Sequence, residues 1–413
     1  MSFGIAISGL SSAQVDLDVT ANNISNSATV GFKQSRAEFA DLFSSSMGGV
    51  SSQQTGSGSR VSRVAQQFGQ GNIENTSNNL DLALNGQGFF AVSNGESLQY
   101  TRAGSFSADN EGYVVNAASN RLQVYPSLGN GLFNSGALSD LRLSTTQSAP
   151  SATTTASTVF NLSASAAVPS TAVFDSADST SYNNATSMTV FDSLGAAHTA
   201  TMYFAKTATP NQWDAHLSID GTVVGTAQTL NYDNAGALDL TPALWPTSQP
   251  GTLNFGGYTP TTGAAAMNID FSVAKSTQYG ASFATSSITQ NGYTTGQLSG
   301  VSVDSSGVVQ AKFTNGQATA LGKVAVINFA NPQGLQKIDG TAWTETFASG
   351  QPINSTAGTA GLGVIQSGAL EASNVDITKQ LVNMIVAQRN YQSNAQMIST
   401  EKSLTQTVMD MAR

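Results

Sequence analysis

EASNVDITKQLVNMIVAQRNYQSNAQMISTEKSLTQTVMDMAR, Glu371 to Arg413, contains neither Gly nor Pro, in a chain of 413 residues that holds 39 Gly and 10 Pro. Ile377, Leu381, Met384, Gln388, Tyr391, Ala395, Ile398, Lys402, Thr405 and Met409 follow one another in alternating steps of four and three. Most of these positions are apolar or small, so the spacing predicts an amphipathic helix with a coiled-coil-like seam. Ser373 and Asp376 supply an S-x-x-D start signal, in which the hydroxyl caps an orphan backbone N–H. A continuous helix from Asp376 to Ala412 is about 55 Å long at about 1.5 Å per residue. That exceeds an ordinary globular helix, so most of it must lie against something outside its own small domain.

The other end of the chain offers a partner. Leu10 to Val30 again lacks Gly and Pro, and Leu10, Ala13, Leu17, Ala21 and Ile24 fall on one helical stripe. Two amphipathic helices flanking a middle of different composition point to pairing between the ends; two unrelated surface helices on a globular core would show the same periodicity. The first helix ends in Ala21-Asn22-Asn23-Ile24-Ser25-Asn26, where clustered asparagines compete for backbone partners and predict either fraying or a specific stop. Gly31 suits the turn beyond. From Ser35 to about Gly71 short apolar pieces mix with a Ser/Gly/Gln run, which reads as a mobile linker.

Between Gln67 and Pro126 the pattern is β. Asn85-Gly86 is a strong turn dipeptide between Leu80–Leu84 and Gly88–Val92. A second strand–turn block runs from Val301 to Phe329, and together the two could make one sheet domain closed by both halves of the chain. Inside that closure, residues 143–284 hold Lys206 as their only basic residue up to Ala274, against eight aspartates. Short strands there (Met188–Phe191, His198–Phe204, Trp213–Ile219) predict an inserted β-sandwich or barrel. The expected fold class is α+β, mainly β: nested β domains, with N- and C-terminal helices pairing as a coiled-coil-like inner domain. The expected boundaries are 1–30 and 370–413 for the helical domain and 31–75 and 361–369 for connecting segments. The split β domain takes 76–142 and 285–360, and the insertion 143–284.

Composition narrows the function. Net charge is −9, from 16 basic and 25 acidic residues, which argues against nucleic-acid binding. Charged residues make up 10% of the chain, against about 25% in a typical soluble domain. The absence of cysteine excludes disulfides, thiolate zinc sites and Cys nucleophiles. No stretch approaches the roughly 18 apolar residues of a membrane span. No Lys or Arg precedes Lys33 and no long apolar run opens the chain, so a cleavable secretory signal is not expected.

Catalytic chemistry finds little support. His198 and His216 both fall in predicted strands without a carboxylate at ligand spacing beside both. No G-x-S-x-G occurs. Gly86-Gln87-Gly88 joins strands rather than opening a helix, so it is not a phosphate loop. Asp304-Ser305-Ser306-Gly307 lacks the ligand series of a calcium loop. Tyr125, Trp213, Trp245 and Trp343 read as core or turn-packing aromatics. No catalytic, cofactor or metal residue is assigned, and the chain reads as a non-enzyme.

Ser8-Gly9-Leu10-Ser11, Ala21–Asn26 and Thr29-Val30-Gly31-Phe32-Lys33 resemble the N-terminal signature of the bacterial flagellar rod and hook family. Gly368–Asp376 and Met384–Ala395 resemble its shared C-terminal signature. Val190-Phe191-Asp192-Ser193-Leu194-Gly195 with His198, and Asn85-Gly86-Gln87-Gly88-Phe89-Phe90, are similar to the outer and inner domains of the hook branch. Rod members generally lack so large an insertion. The resemblance implies a structural subunit that polymerises into a curved, flexible, hollow tube, a universal joint carrying torque from rod to filament outside the cell. It also implies export unfolded through the flagellar type III apparatus. The implied partners are copies of the chain itself, a distal rod protein, a hook-cap scaffolding protein and a hook–filament junction protein, with no nucleic acid and no membrane insertion. A distal rod protein is the nearest alternative, and a secreted β-rich adhesin a more distant one.

A helix of the N-terminal length is marginal alone in water, so the ends are expected to gain order among copies. The expected polymerisation interface is Leu10, Leu17, Asn22, Asn23, Ile24, Ile377, Leu381, Met384, Arg389, Asn390, Tyr391 and Ile398. Asn22, Asn383, Arg389 and Asn390 are candidates for polar contacts between helices.

Overall fold

The computed structural model describes residues 2–42, 56–129, 131–143, 147–241, 245, 249–359 and 361–411. Helix α1 spans Ser2–Ser25 and helix α2 Ile377–Met411; most of the rest is β, as the sequence predicts. The chain divides into two compact units. The first is Met1–Thr145, Ser299–Lys312 and Ala318–Arg413; the second, Thr146–Leu298 with Phe313–Gln317, interrupts it.

In the first unit the strand Ala318–Asn328 pairs antiparallel with Arg121–Gly129, Phe89–Ser93 and Ile353–Thr356, so early and late segments share one sheet. Side chains alternate across a strand. Phe90, Val92, Val124, Val324 and Val326 therefore enter one core, with Leu82, Leu84 and Phe106. Phe89, Ala91, Tyr125, Ala325 and Ile327 enter another, with Tyr100, Phe329 and Trp343. A sheet covered on both faces needs near-continuous apolar strands, which is why Phe89–Val92 carries no polar residue.

The second unit is a sandwich. Asn184–Phe191, Ala197–Lys206, Gln212–Ile219 and Thr222–Asn231 form a four-stranded antiparallel sheet. The facing sheet contains Thr252–Tyr258, Met267–Ser272, Thr155–Ser163, Thr277–Tyr279 and Ala284–Gln290. Every second residue of Ala197–Lys206 is buried, from His198 to Phe204, and one core joins Met202, Phe204 and Trp213 to Phe160, Leu253 and Phe271. Ala284–Gln290, expected in the split domain from 285, pairs instead with Ala156–Asn161, and the second unit extends to Leu298.

The segment expected to be a mobile linker is a hairpin over its described part. Strand β1 (Ser35–Asp41) pairs with β2 (Ser59–Gln66), with one bulge at Glu38/Phe39; the Ser/Gly/Gln run at 43–55 lies outside the described residues. The strands carry few large apolar residues because they lie against α1 through small polar ones: Ser12 Oγ is 3.0 Å from Ser59 Oγ, and Ser59 N–H donates to Ser8 Oγ at 3.3 Å.

The start of α2 differs in detail from expectation. Asp376, not Ser373, is the cap: its Oδ1 accepts the Lys379 N–H at 3.1 Å. Asp376→Ala is expected to cost about 1 kcal/mol, seen as faster amide exchange in the first turn of α2, whereas Ser373→Ala leaves that turn unchanged.

Candidate functional site

The two helices pack antiparallel. A Cβ placed on Gly9 would lie 2.6 Å from Asn394 Oδ1, while near the other end of α1 the Asn23 Nδ2 faces Gln380 Oε1 at 3.5 Å. Residues buried on α1 are Ala6, Ser12, Ala13, Thr20 and Asn23, and on α2 only Gln380 and Ala387. Met384, Tyr391, Asn394, Ala395, Ile398 and Glu401 are half-buried. The contact is thus built from small and amide side chains, and its phase is turned from the expected one.

Leu10, Leu17 and Ile24 lie at its margin, half-buried; Met384, Tyr391 and Ile398 belong to it. Ile377 and Leu381 do not: they are 50% and 47% exposed. Asn23 is the polar contact between helices. Asn22, Asn383, Arg389 and Asn390 are exposed, and the helix-to-helix amide role falls to Asn23 and Gln380.

Turning the seam toward small residues leaves the large ones outside. Ile377, Leu381, Val382, Ile385 and Val386 are exposed along the first three turns of α2. Phe3, Ile5 and Ile7 are exposed on α1, and Met397, Leu404, Val408, Met409 and Met411 toward the end of α2. Lys402 to Met411 is exposed on every side. An unpartnered helix of that length is not self-supporting in water, and a contiguous apolar face marks an interaction surface.

Where the helices meet the β body, the chain places a buried ionic cluster. Glu371 accepts from Lys33 Nζ at 2.5 Å, from the Gly71 N–H at 2.8 Å and from Arg102 Nη1 at 3.2 Å. The Lys33 and Glu371 side chains are fully buried and Arg102 is 5% exposed. Burial pulls the Lys33 pKa down, with Glu371 opposing and Arg102 adding to the effect; burial also lowers Arg102 against Glu371. Arg102 donates further to Leu84 O and Gly86 O, binding the Asn85-Gly86 turn to the same cluster.

Amides complete the joint. Asn23 exchanges two 2.8 Å bonds with the Ser35 backbone. Gln34 N–H donates to Asn374 Oδ1, whose Nδ2 reaches Gln67 O. Gly31, at φ 68°, brings its N–H to Glu371 O at 2.8 Å, and a Cβ there would meet Ala103 N at 2.4 Å. So the asparagine cluster makes a specific stop, and Gly31 is required by both its dihedral and the close approach. Sequence reasoning missed Arg102 and the roles of Lys33 and Glu371. A signal existed, since Lys33 is the first basic residue and lies inside an otherwise uncharged motif.

The histidines do not pair. His198 lies between Asp192 and Asp220, whereas His216 stacks on Phe174 with ring centroids 3.9 Å apart. Trp213, Trp343 and Tyr125 are core, and Trp245 is 8% exposed. No described helix is long and apolar enough to cross a membrane.

Comparison with known proteins fits this layout. The flagella basal body rod protein family matches residues 3–33, and the flagellar basal body rod FlgEFG protein C-terminal family matches 366–411. The flagellar hook protein FlgE/F/G D1 domain matches 83–166, and the flagellar basal body protein FlaE D2 domain 161–293. The flagellar hook protein FlgE of Escherichia coli K12 is 38% identical over 418 residues, covering 100% of both chains. That of Treponema pallidum is 31% identical over 456 residues, covering 98% of each. The Helicobacter pylori flagellar hook protein FlgE2 shares the fold, with TM-score 0.52 at 14% identity over 72% of this chain and 100% of that one. End-to-end likeness at this level, with matching models at both helices and in both β units, leaves one assignment: the chain belongs to the flagellar hook protein family.

Proposed function

We propose that this chain is the repeating subunit of a flagellar hook, a curved hollow tube that carries torque from rod to filament outside the cell. The observation that carries the reading is the exposed apolar face of α2. A helix pair that buries alanines, small hydroxyls and amides while exposing Ile377, Leu381, Val382, Ile385 and Val386 is built to meet other helices. A head-to-tail contact repeated with a non-closing rotation gives a helical tube.

In this reading the terminal helices (1–30 and 370–413) line the inner tube. The interface draws on Ile377 and Leu381 directly, with Leu10, Leu17, Ile24, Met384, Tyr391 and Ile398 at its edges. Asn22, Arg389 and Asn390 supply exposed polar contacts, and Asn23 holds the pair together. Distal rod protein, hook-cap scaffold, hook–filament junction protein and the flagellar type III export apparatus are the further partners. A chain without cysteine, whose end helices depend on neighbours, is compatible with export in an unfolded state.

Electron microscopy of purified chain added to hook fragments as seeds tests this. Curved tubes are expected from the full chain, and none from a chain ending at Leu370. Straight tubes would favour a distal rod role, and a full chain that stays monomeric at high concentration would reject the polymer reading.

A further inference from the structure

We propose that His198, in its imidazolium form, is a clip that holds together, at one end of a single sheet, the Asp192 and Asp220 carboxylates that reach across to the facing sheet of the inserted sandwich. Its Nδ1 lies 2.6 Å from Asp220 Oδ2 and its Nε2 3.3 Å from Asp192 Oδ2. Both ring nitrogens thus face carboxylate oxygens, and only the doubly protonated ring can donate to both. A neutral ring would turn a lone pair on one of them. His198 is 6% exposed and Asp192 fully buried, while the Asp220 side chain is 43% exposed, so water reaches the Asp220 carboxylate but hardly the ring nitrogens, and the mismatch is worst on the Asp192 side.

The carboxylates connect the sheets. Asp192 heads the turn between Asn184–Phe191 and Ala197–Lys206, where its Oδ1 accepts the Leu194 and Ala196 N–H groups. Its Oδ2 also accepts from Thr262 Oγ1 at 2.7 Å, and Thr262 follows the strand Thr252–Tyr258 of the facing sheet. Asp220 follows Gln212–Ile219; its Oδ1 accepts the Thr199 N–H at 2.9 Å, and its Oδ2 faces Tyr258 Oη at 3.5 Å. The Tyr258 ring meets the His198 ring edge-on at 5.9 Å. The titratable groups around His198 are therefore Asp192, Asp220 and Tyr258, from three elements.

Protonation follows from this setting. Burial pulls the His198 pKa down, but the contacts to Asp220 and Asp192 outweigh it and raise the value. Burial likewise pushes Asp192 up, while the Thr262 hydroxyl, the Ala196 N–H and His198 hold it at about 2. Asp220 is lowered in the same way. A raised histidine stabilises fully below its ordinary pKa and loses that contribution as pH climbs through the raised value; the lowered carboxylates keep theirs until strong acid. The clip is closed below the ordinary histidine pKa and opens as pH climbs through the raised value.

The chain has two histidines, so imidazole NMR of the full-length monomer resolves the proposal without mutation. His198 is expected to titrate above the ordinary histidine value, while His216, whose pKa burial lowers, titrates below it and serves as an internal control. His198→Gln keeps a donor but no charge. It should lower the melting temperature of the inserted unit by a few degrees below the ordinary histidine pKa, a loss that shrinks as pH climbs through the raised value and the parent chain loses its own proton. A His198 signal titrating at or below that of His216, or a loss independent of pH, would overturn the clip.

Discussion

Replacing Glu371 by alanine is expected to cost about 3–5 kcal/mol, because it leaves two buried cations without their counter-charge. Lys33 Nζ would keep the Gly69 carbonyl, at 2.8 Å, and Arg102 would keep Leu84 O and Gly86 O. Neither set neutralises a charge. The defect should be local to the joint, since Gly31 N–H donates to Glu371 O and Ala372 N–H to Asn72 O beside it. Amide exchange at Gly31, Gly71 and Ala372 should therefore speed up by about two to three and a half orders of magnitude, at about 1.4 kcal/mol per tenfold.

The pH dependence separates this from simple cavity formation. Burial already lowers the Lys33 pKa, and without Glu371 the opposing effect is gone, so the lysine sheds its proton sooner in the folded state. A folded state that binds fewer protons than the unfolded one gains stability as pH rises. Part of the Glu371→Ala defect should thus recover as pH rises toward the ordinary lysine range, whereas Arg102 stays charged throughout. An exchange increase below tenfold, or one flat with pH, would show that the triad does not hold the joint.

That cluster also marks the limit of reading this chain by pattern. Local periodicity was enough for the terminal helices, which Gly- and Pro-free runs mark from Leu10 and from Glu371 onward, and for the strands around Asn85-Gly86. It could not join Lys33 to Glu371 or Arg102 to Glu371, which are 338 and 269 residues apart. The hairpin of β1 and β2 was illegible for another reason. Arg36, Glu38 and Arg63 pair with one another in the open, and contact with α1 runs through serines, so the strands carry little of the apolar alternation that normally announces a sheet. The cap of α2 was displaced because Asp376 sits one position before the first helical residue and Ser373 four.

The seam phase is more instructive. A heptad reading assigns the largest aliphatics to the contact, so Ile377 and Leu381 were expected inside it. The chain places Ala6, Gly9, Thr20, Gln380 and Ala387 there instead, letting the two helices approach closely. On the proposed assembly the usual rule would be kept by the polymer rather than by the single molecule: a residue such as Val382 reads as misplaced unless neighbouring copies cover it.

This gives the second large effect. Val382→Asp with Val386→Asp should abolish tube formation while leaving the monomer's thermal stability nearly unchanged. Both valines are at least half exposed, 56% and 50%, and exposed substitutions away from caps and buried networks shift stability by about 0.5 kcal/mol or less. In the polymer the same carboxylates would have to lose water against apolar surface. Burying an unpaired polar group costs at least about 1–3 kcal/mol, and more for a charge. Two per subunit raise the critical concentration by about a hundredfold or more, at about 1.4 kcal/mol per tenfold. Asn234→Asp, on an exposed turn of the inserted unit, supplies the control for added charge alone and should assemble at near-normal concentration. Sedimentation of seeded mixtures reads both variants, with circular dichroism reporting that the monomers remain folded. If the double aspartate variant sediments like the parent chain, the outward face of α2 is not where copies meet, and the assembly surface must be sought on the β units instead.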